Sequence, residues 1–153
     1  MFRGIAEITL DAKGRFALPT RHRAAVQTAC QGHLVCTLDI MDSCLLLYPL
    51  PEWERVESNL ASAPNMNAMA RDMQRWLIGH ATEIDVDAQG RLLLPSPLRN
   101  AVKLDRNMVM FGQGRRFELW AAEVWAERSE QMRAKPFDPN APELPDALRN
   151  FSL

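Results

Sequence analysis

The sequence predicts a mainly β fold with flanking helices (α+β), in which two tandem repeats interleave their strands into one small barrel about a pseudo-twofold axis. Three observations predict it. A short segment is written twice, since Asp11-Ala12-Lys13-Gly14-Arg15 returns as Asp87-Ala88-Gln89-Gly90-Arg91. A shift of 76 positions also pairs Glu7-Ile8 with Glu83-Ile84, Leu18-Pro19 with Leu94-Pro95, Arg23 with Arg99 and Ala25-Val26 with Ala101-Val102. Each copy opens with period-two alternation, Ile8 and Leu10 in one and Ile84 and Val86 in the other, which suits half-buried strands. Finally, a hairpin-bearing half of this size leaves unpaired strand edges and half a core, and mutual closure of the two copies relieves both.

Within each copy the D-x-x-G-R segment reads as a tight turn. Aspartate can accept from its own backbone two residues on, and glycine supplies a positive φ. Phe16-Ala17-Leu18 and Leu92-Leu93-Leu94 continue as short strands ended by Pro19 and Pro95. A helix follows, with Thr20 and Ser96 placed as N-caps and Pro97 in a first turn that tolerates its missing N–H. Leu34 to Leu38 pairs with Leu45 to Tyr48, and Met108 to Phe111 with Phe117 to Trp120, through turns at Asp42-Ser43 and Gly112-Gln113-Gly114. Here the offset shortens, so that Tyr48 meets Trp120 and Trp53 meets Trp125, and the helices beginning near Glu52 and Glu123 are equivalent. These four aromatics are expected in core packing between the halves.

An extra helix, about Asn67 to Ile78, separates the copies. Met66, Met69, Met73 and Leu77 form one stripe on it with Trp76 at the edge, a face that suits core and subunit contact alike. From Lys135 onward, Pro136, Pro139, Pro142 and Pro145 recur every third residue, which predicts an extended or loosely docked tail with no helix. The expected organisation is a first repeat over 1–55, a linker helix over 56–79, a second repeat over 80–134 and the tail over 135–153.

Composition narrows the function. The chain has 153 residues, 47% hydrophobic and 24% charged, enough for one ordinary domain or two halves sharing a core. No stretch approaches the roughly 20 apolar residues of a membrane span, and because the start leads straight into a strand-like segment a signal peptide is not expected. Cys30, Cys36 and Cys44 are odd in number and lie in or beside apolar segments, as buried reduced thiols in a cytosolic protein do. There is no phosphate-binding G-x-x-x-x-G-K-[ST], no G-x-S-x-G and no H-E-x-x-H. His22, His33 and His80 are scattered, and the cysteines lack C-x-x-C spacing. Enzymatic activity, a cofactor, a metal and a small-molecule substrate are therefore not expected.

Charge is more telling in its distribution than in its sum of −1. From Gly4 to Val26 the chain carries Lys13, Arg15, Arg21 and Arg23 against Glu7 and Asp11, with Arg3 just outside. The matching segment, His80 to Val102, carries Arg91 and Arg99 against Glu83, Asp85 and Asp87. An arginine on a stiff turn can donate two parallel hydrogen bonds to guanine O6 and N7, worth roughly 1–3 kcal/mol of base discrimination. Asp11 then organises the turn and can pair with Arg15, while Gly14 and Gly90 permit close backbone approach. Lys13, Arg3, Arg21 and Arg23 are candidates for phosphate contacts. On the residues alone, Arg15 and Arg91 also fit the plainer role of surface positions on turns that only close hairpins. Arg23 and Arg99 fit structural ion pairs with Glu7 and Glu83. Because Lys13 becomes Gln89, Arg21 becomes Pro97 and His22 becomes Leu98, the first loop is the better suited of the two to contact DNA, with Arg91 auxiliary or partly engaged in subunit packing.

The chain resembles the MraZ family of bacterial transcriptional regulators, within the AbrB-like swapped-hairpin superfamily. The resemblance rests on Met-Phe-Arg-Gly at the start, on both D-x-x-G-R motifs with their Leu-Pro follow-on, on Leu45 through Glu54, and on Leu77-Ile78-Gly79-His80-Ala81. It runs from Met1 to about Trp125. It implies two AbrB-like repeats closing as one swapped-hairpin barrel, and a ring-shaped homo-oligomer. It further implies binding to double-stranded promoter DNA at short repeated G-rich boxes, upstream of the division and cell-wall gene cluster that includes the chain's own gene. That would place the protein in the cytoplasm, at the nucleoid. The family's D-x-x-x-R signature falls on Asp11 with Arg15 and on Asp87 with Arg91. Together with Lys13, Arg3, Gly14 and Gly90, these are the expected DNA-binding residues. The alternative is an AbrB-like protein-binding module of antitoxin type, or an oligomeric scaffold. Nothing is carried over to the tail.

Overall fold

In the computed structural model, which describes residues 1–149 and 151, each copy runs strand, turn, strand, helix, hairpin, helix. The first comprises β1 (Phe2–Thr9), β2 (Arg15–Ala17), α1 (Thr20–Cys30), β3 (His33–Leu38), β4 (Leu45–Pro49) and α2 (Leu50–Ala61). After α3 (Ala68–Leu77), the second repeats the order as β5 (Thr82–Asp85), β6 (Arg91–Leu93), α4 (Ser96–Ala101), β7 (Asn107–Gly114), β8 (Arg116–Ala121) and α5 (Ala122–Ala134). Only the hairpins β3–β4 and β7–β8 pair inside a copy among the described residues. Every other ladder joins the copies: β1 with β7, β3 with β5, β4 with β8 and β2 with β6, all antiparallel. The main sheet therefore has the order β1-β7-β8-β4-β3-β5, which reads the same from either end when the copies are exchanged.

The expected single closed barrel is not what the hydrogen bonds form. They make an open six-stranded sheet and a separate two-stranded ladder, β2–β6. The reason is length. β2 and β6 have three residues each before the prolines end them, and those residues are spent on pairing with each other.

Alternation sorts the sheet's side chains onto two cores. Leu45, Leu47, Phe117 and Leu119 face the β2–β6 ladder, α1 and α4, where Phe16, Leu18, Val26, Leu92, Leu94 and Leu98 are buried. Val35, Leu46, Tyr48 and Trp120 face α2, α3 and α5. A strand buried on both faces needs no polar positions, which explains the unbroken run from Leu45 to Tyr48. Tyr48 meets Trp53 at 5.7 Å and Trp120 meets Trp125 at 5.4 Å, so the in-register aromatics fasten each hairpin to its own following helix rather than one half to the other.

Local corrections have local causes. Thr20 and Ser96 begin their helices instead of capping them; Pro19 and Pro95 hold the cap position with extended backbone and no side-chain bond. Gly112-Gln113-Gly114 is the end of β7, not a turn, because Phe2, Arg3 and Gly4 pair alongside it and the chain reverses around Arg115. Asn67 caps α3, accepting from the Ala70 N–H at 3.0 Å. The methionine stripe divides along that helix. Its tethers lie in the C-terminal half: Gln74 Nε2 donates to the Leu60 carbonyl, Trp76 Nε1 to the Asp39 carbonyl, and Thr37 Oγ1 to the Leu77 carbonyl. Leu77 is buried and Met73 half-buried, while Met66 and Met69 project into solvent, 97% and 75% exposed. The tail does contain one helical turn, α6 (Asp146–Arg149), held by a bond from Arg149 to Asp146. Asn150, Ser152 and Leu153, which end the predicted tail, lie outside the described residues. The three cysteines are free and buried, and burial pushes the Cys36 thiol up to about 12.

His22 is a buried titratable group in the first core, 6% exposed, with Phe2 and Phe117 edge-on to its ring. Its Nε2 accepts from Arg21 Nε at 3.2 Å, which puts the ring proton on Nδ1. Burial, and then the Arg21 charge, hold its pKa below the ordinary 6.5. The unfolded chain therefore takes up a proton before the folded one does. Stability from neutral His22 is complete above 6.5 and is lost as pH falls below it. Replacing it with leucine, the residue at Leu98 in the second copy, should flatten that part of the curve. Thermal melts between about pH 5 and 7.5 will show a shallower acid slope for His22→Leu than for wild type. Equal slopes would assign the acid sensitivity to other groups.

Candidate nucleic-acid interface

Both D-x-x-G-R loops are built the same way. In the first, Asp11 Oδ1 accepts from the backbone N–H groups of Lys13 and Arg15, both at 2.9 Å. Its Oδ2 accepts from Arg15 Nε at 2.9 Å, and backbone bonds between Asp11 and Arg15 and from Gly14 to Asp11 close the turn. In the second, Asp87 Oδ1 accepts from Gln89 and Arg91 at 2.9 and 2.8 Å, and Oδ2 from Arg91 Nε at 3.0 Å. The Arg15 N–H, backed by the Arg15 side chain and the Lys13 N–H, holds the Asp11 carboxyl below its ordinary 3.8 in spite of an opposing desolvation; Asp87 is held down likewise by Arg91. Each carboxylate thus stays charged, and keeps its loop, until pH falls below the ordinary carboxylate range.

One consequence is chemical. With Nε committed to aspartate, the donors left on Arg15 are its two Nη groups, neither bonded among the described residues. Arg91 differs, because its Nη2 also makes a long contact of 3.4 Å with Gln89 Oε1. Lysine at the corresponding position 13 has no acceptor to offer.

The β2–β6 ladder fixes where the arginines point. Phe16 and Leu92 face each other in the core, so Arg15 with its partner Leu93, and Arg91 with its partner Ala17, stand on the outward side. Both loops thus present their arginines from one narrow two-stranded face.

Each loop is braced by the opposite copy. The Leu94 N–H donates to the Gly14 carbonyl and the Leu18 N–H to the Gly90 carbonyl, at 2.9 and 2.8 Å. Arg99 lies over Gly14 so closely that an added Cβ would sit 2.6 Å from its Cζ, and Arg23 covers Gly90 at 2.7 Å. The two glycines have φ of +84° and +77°. The close approach they permit is taken by these guanidiniums. Arg23 Nε donates to the Leu18 carbonyl and Arg99 Nε to the Leu94 carbonyl, in place of the expected ion pairs with Glu7 and Glu83. Exchange of strands puts each arginine beside the other copy's turn, out of line with its own glutamate. The recurrence of arginine eight residues after each motif was the available signal for this brace.

The remaining cations divide. Lys13 is exposed on the first loop. Arg21 is turned back onto β1, with Nη2 donating to the Ile5 carbonyl at 2.8 Å. Arg3 pairs with Gln113 near the start of β1, roughly 20 Å along that strand from Thr9, and so is not brought to the loops. Leu93 was not singled out by sequence. The signal was there, because the middle residue of a three-leucine strand must point away from its neighbours.

Comparison with known proteins covers nearly the whole chain. A family model described as "MraZ protein, putative antitoxin-like" matches twice, over residues 1–76 and 77–146. A protein of Legionella pneumophila (strain Corby) named "Transcriptional regulator MraZ" is 48% identical over 153 residues, all of both chains. One of the same name from Thioalkalivibrio sulfidiphilus is 51% identical over 131 residues, 86% of this chain and 87% of that one. A third, from Haemophilus influenzae (strain PittEE), is 46% identical over 157 residues and the full length of both.

Proposed function

This chain belongs to the MraZ family, and on that premise we propose that it is a sequence-specific DNA-binding regulator of transcription. The observation that carries the proposal is the outward face of the β2–β6 ladder, where two carboxylate-clamped arginines stand on braced turns. Such a clamp supplies what base reading needs, an arginine with fixed orientation and free terminal donors. The relatives' name, transcriptional regulator, supports the same reading.

The DNA is the promoter region upstream of the chain's own gene in the division and cell-wall cluster, and the reading elements meet short repeated G-rich boxes. Arg15 is the principal reader and Arg91 the auxiliary one. Lys13 contacts phosphate, and Asp11, Asp87, Gly14 and Gly90 shape the loops. Arg3 stands apart on β1 and adds at most a separate phosphate contact. The two AbrB-like repeats act as one swapped-hairpin unit, and several chains form a ring at the nucleoid.

A chain of net charge −1 gains affinity from multiplicity. Once one loop is seated, the next contacts are intramolecular, and affinity rises by roughly 10²–10⁴. Gel-shift titration of the upstream DNA tests this. Inserting about half a helical turn between boxes is expected to weaken binding much more than one mismatch within a box, and affinity should fall steeply with salt. Indifference to both changes would refute the reading.

A further inference from the structure

Leu93 is an exposed leucine in an unusual place. It lies directly opposite Arg15 in the β2–β6 ladder and two residues from Arg91 on the same outward side, 54% exposed. Its position in the other copy's strand is held by Ala17, which faces Arg91. Scattered exposed leucines are ordinary on protein surfaces. This one is flanked by two cations that face the same way, which disfavours an apolar protein partner and suits an apolar contact inside an anionic groove.

We infer that Leu93 reads the 5-methyl group of a thymine neighbouring the guanine read by Arg15, an inference that rests on the DNA-binding function proposed above. The major groove admits a two-stranded ribbon, and the thymine methyl is the apolar group it displays on a base edge. Residues opposite each other in a ladder have Cβ atoms about 4.5–5.5 Å apart. That spacing falls between one base-pair step of about 3.4 Å and two, a gap that side chains of different length close to meet neighbouring pairs. The lengths agree as well. The long Arg15 side chain reaches O6 and N7, and the shorter Leu93 meets a methyl that stands out into the groove. Because Ala17 cannot reach so far, the Arg91 side of the face lacks this contact. The two sides of the ladder therefore prefer different base steps.

The experiment compares the DNA upstream of the chain's own gene, made with thymidine or with deoxyuridine throughout, for wild type, Leu93→Ala and Arg15→Ala. Removing the methyls should weaken wild-type binding by about fourfold for each buried contact. Leu93→Ala should lose a similar factor on thymidine DNA and show no further loss on deoxyuridine DNA, with its solution mass unchanged. If Leu93→Ala discriminates the two DNAs as wild type does, or changes the mass of the assembly, Leu93 is not the reader and the inference is overturned. If Arg15→Ala binds as tightly as wild type, the loop-reading function itself fails, a separate result.

Discussion

Arg15→Ala is expected to reduce affinity for the upstream DNA far more than Arg91→Ala. A bidentate arginine–guanine contact is worth about 1–3 kcal/mol, roughly 5- to 150-fold at one loop, and the losses compound where several loops bind together. The backbone of the two loops is the same, so the asymmetry must come from side chains. Arg91 shares an Nη with Gln89, whereas Arg15 has both Nη groups unbonded among the described residues and Lys13 beside it to meet phosphate. Since the second loop contributes mainly position, Arg91→Ala should cost several-fold at most. Titration of both variants at one salt concentration settles the matter. Losses of equal size would mean that the divergence at Lys13 and Gln89 has no bearing on DNA, and the two loops would have to be treated as equivalent readers.

Gly112→Ala is expected to produce a large loss of stability. A Cβ at Gly112 would overlap the Arg3 backbone nitrogen and lie 2.7 Å from the Phe2 carbonyl carbon. Those are backbone atoms, which have no rotamer to escape into, so β1 must lift away from β7. Such a disruption costs about 3 kcal/mol or more, which lowers the melting temperature by roughly 6–12 °C in a chain of this size. Gly114→Ala is the informative control. Its φ of +72° makes alanine unfavourable, but the nearest atom to an added Cβ is Met1 Sδ at 3.9 Å, so only the local strain of about 1–2 kcal/mol applies. A Gly112→Ala variant that melts as high as the Gly114→Ala one would show that β1 adjusts without loss.

The same glycine shows where sequence reading stops. Gly112-Gln113-Gly114 carries a turn signature, and only the neighbour across the sheet reveals that Gly112 is glycine to let another strand lie close. That neighbour is more than 100 residues away, beyond any local pattern. What duplication and alternation could show, they did: the order of elements, the helix after Asn67, the in-register aromatics and the two identical turns. Closure of the barrel was not legible because it depends on how far three-residue strands can reach. At the loops, Asp11 could be placed as turn organiser and partner of Arg15 because its bonds are local. The roles of Arg23 and Arg99 were hidden, since each acts on the glycine of the opposite copy.

Exchange of strands between copies also sets a timetable. Thr9 pairs with Asn107 and Phe2 with Gly114, so β1 has no sheet partner until β7 has been made. At about 5–20 residues per second of synthesis, that is a wait of roughly 5–20 s. Throughout it the first copy offers the open edge of β1, and for the first part, until β5 is made, also the side of β3 reserved for that strand. Neighbouring nascent chains carry matching edges, so crowding on one messenger favours strand exchange between chains as well as within one. The newborn protein thus passes through an interval in which its symmetry is a hazard, ended only by release of its own second half.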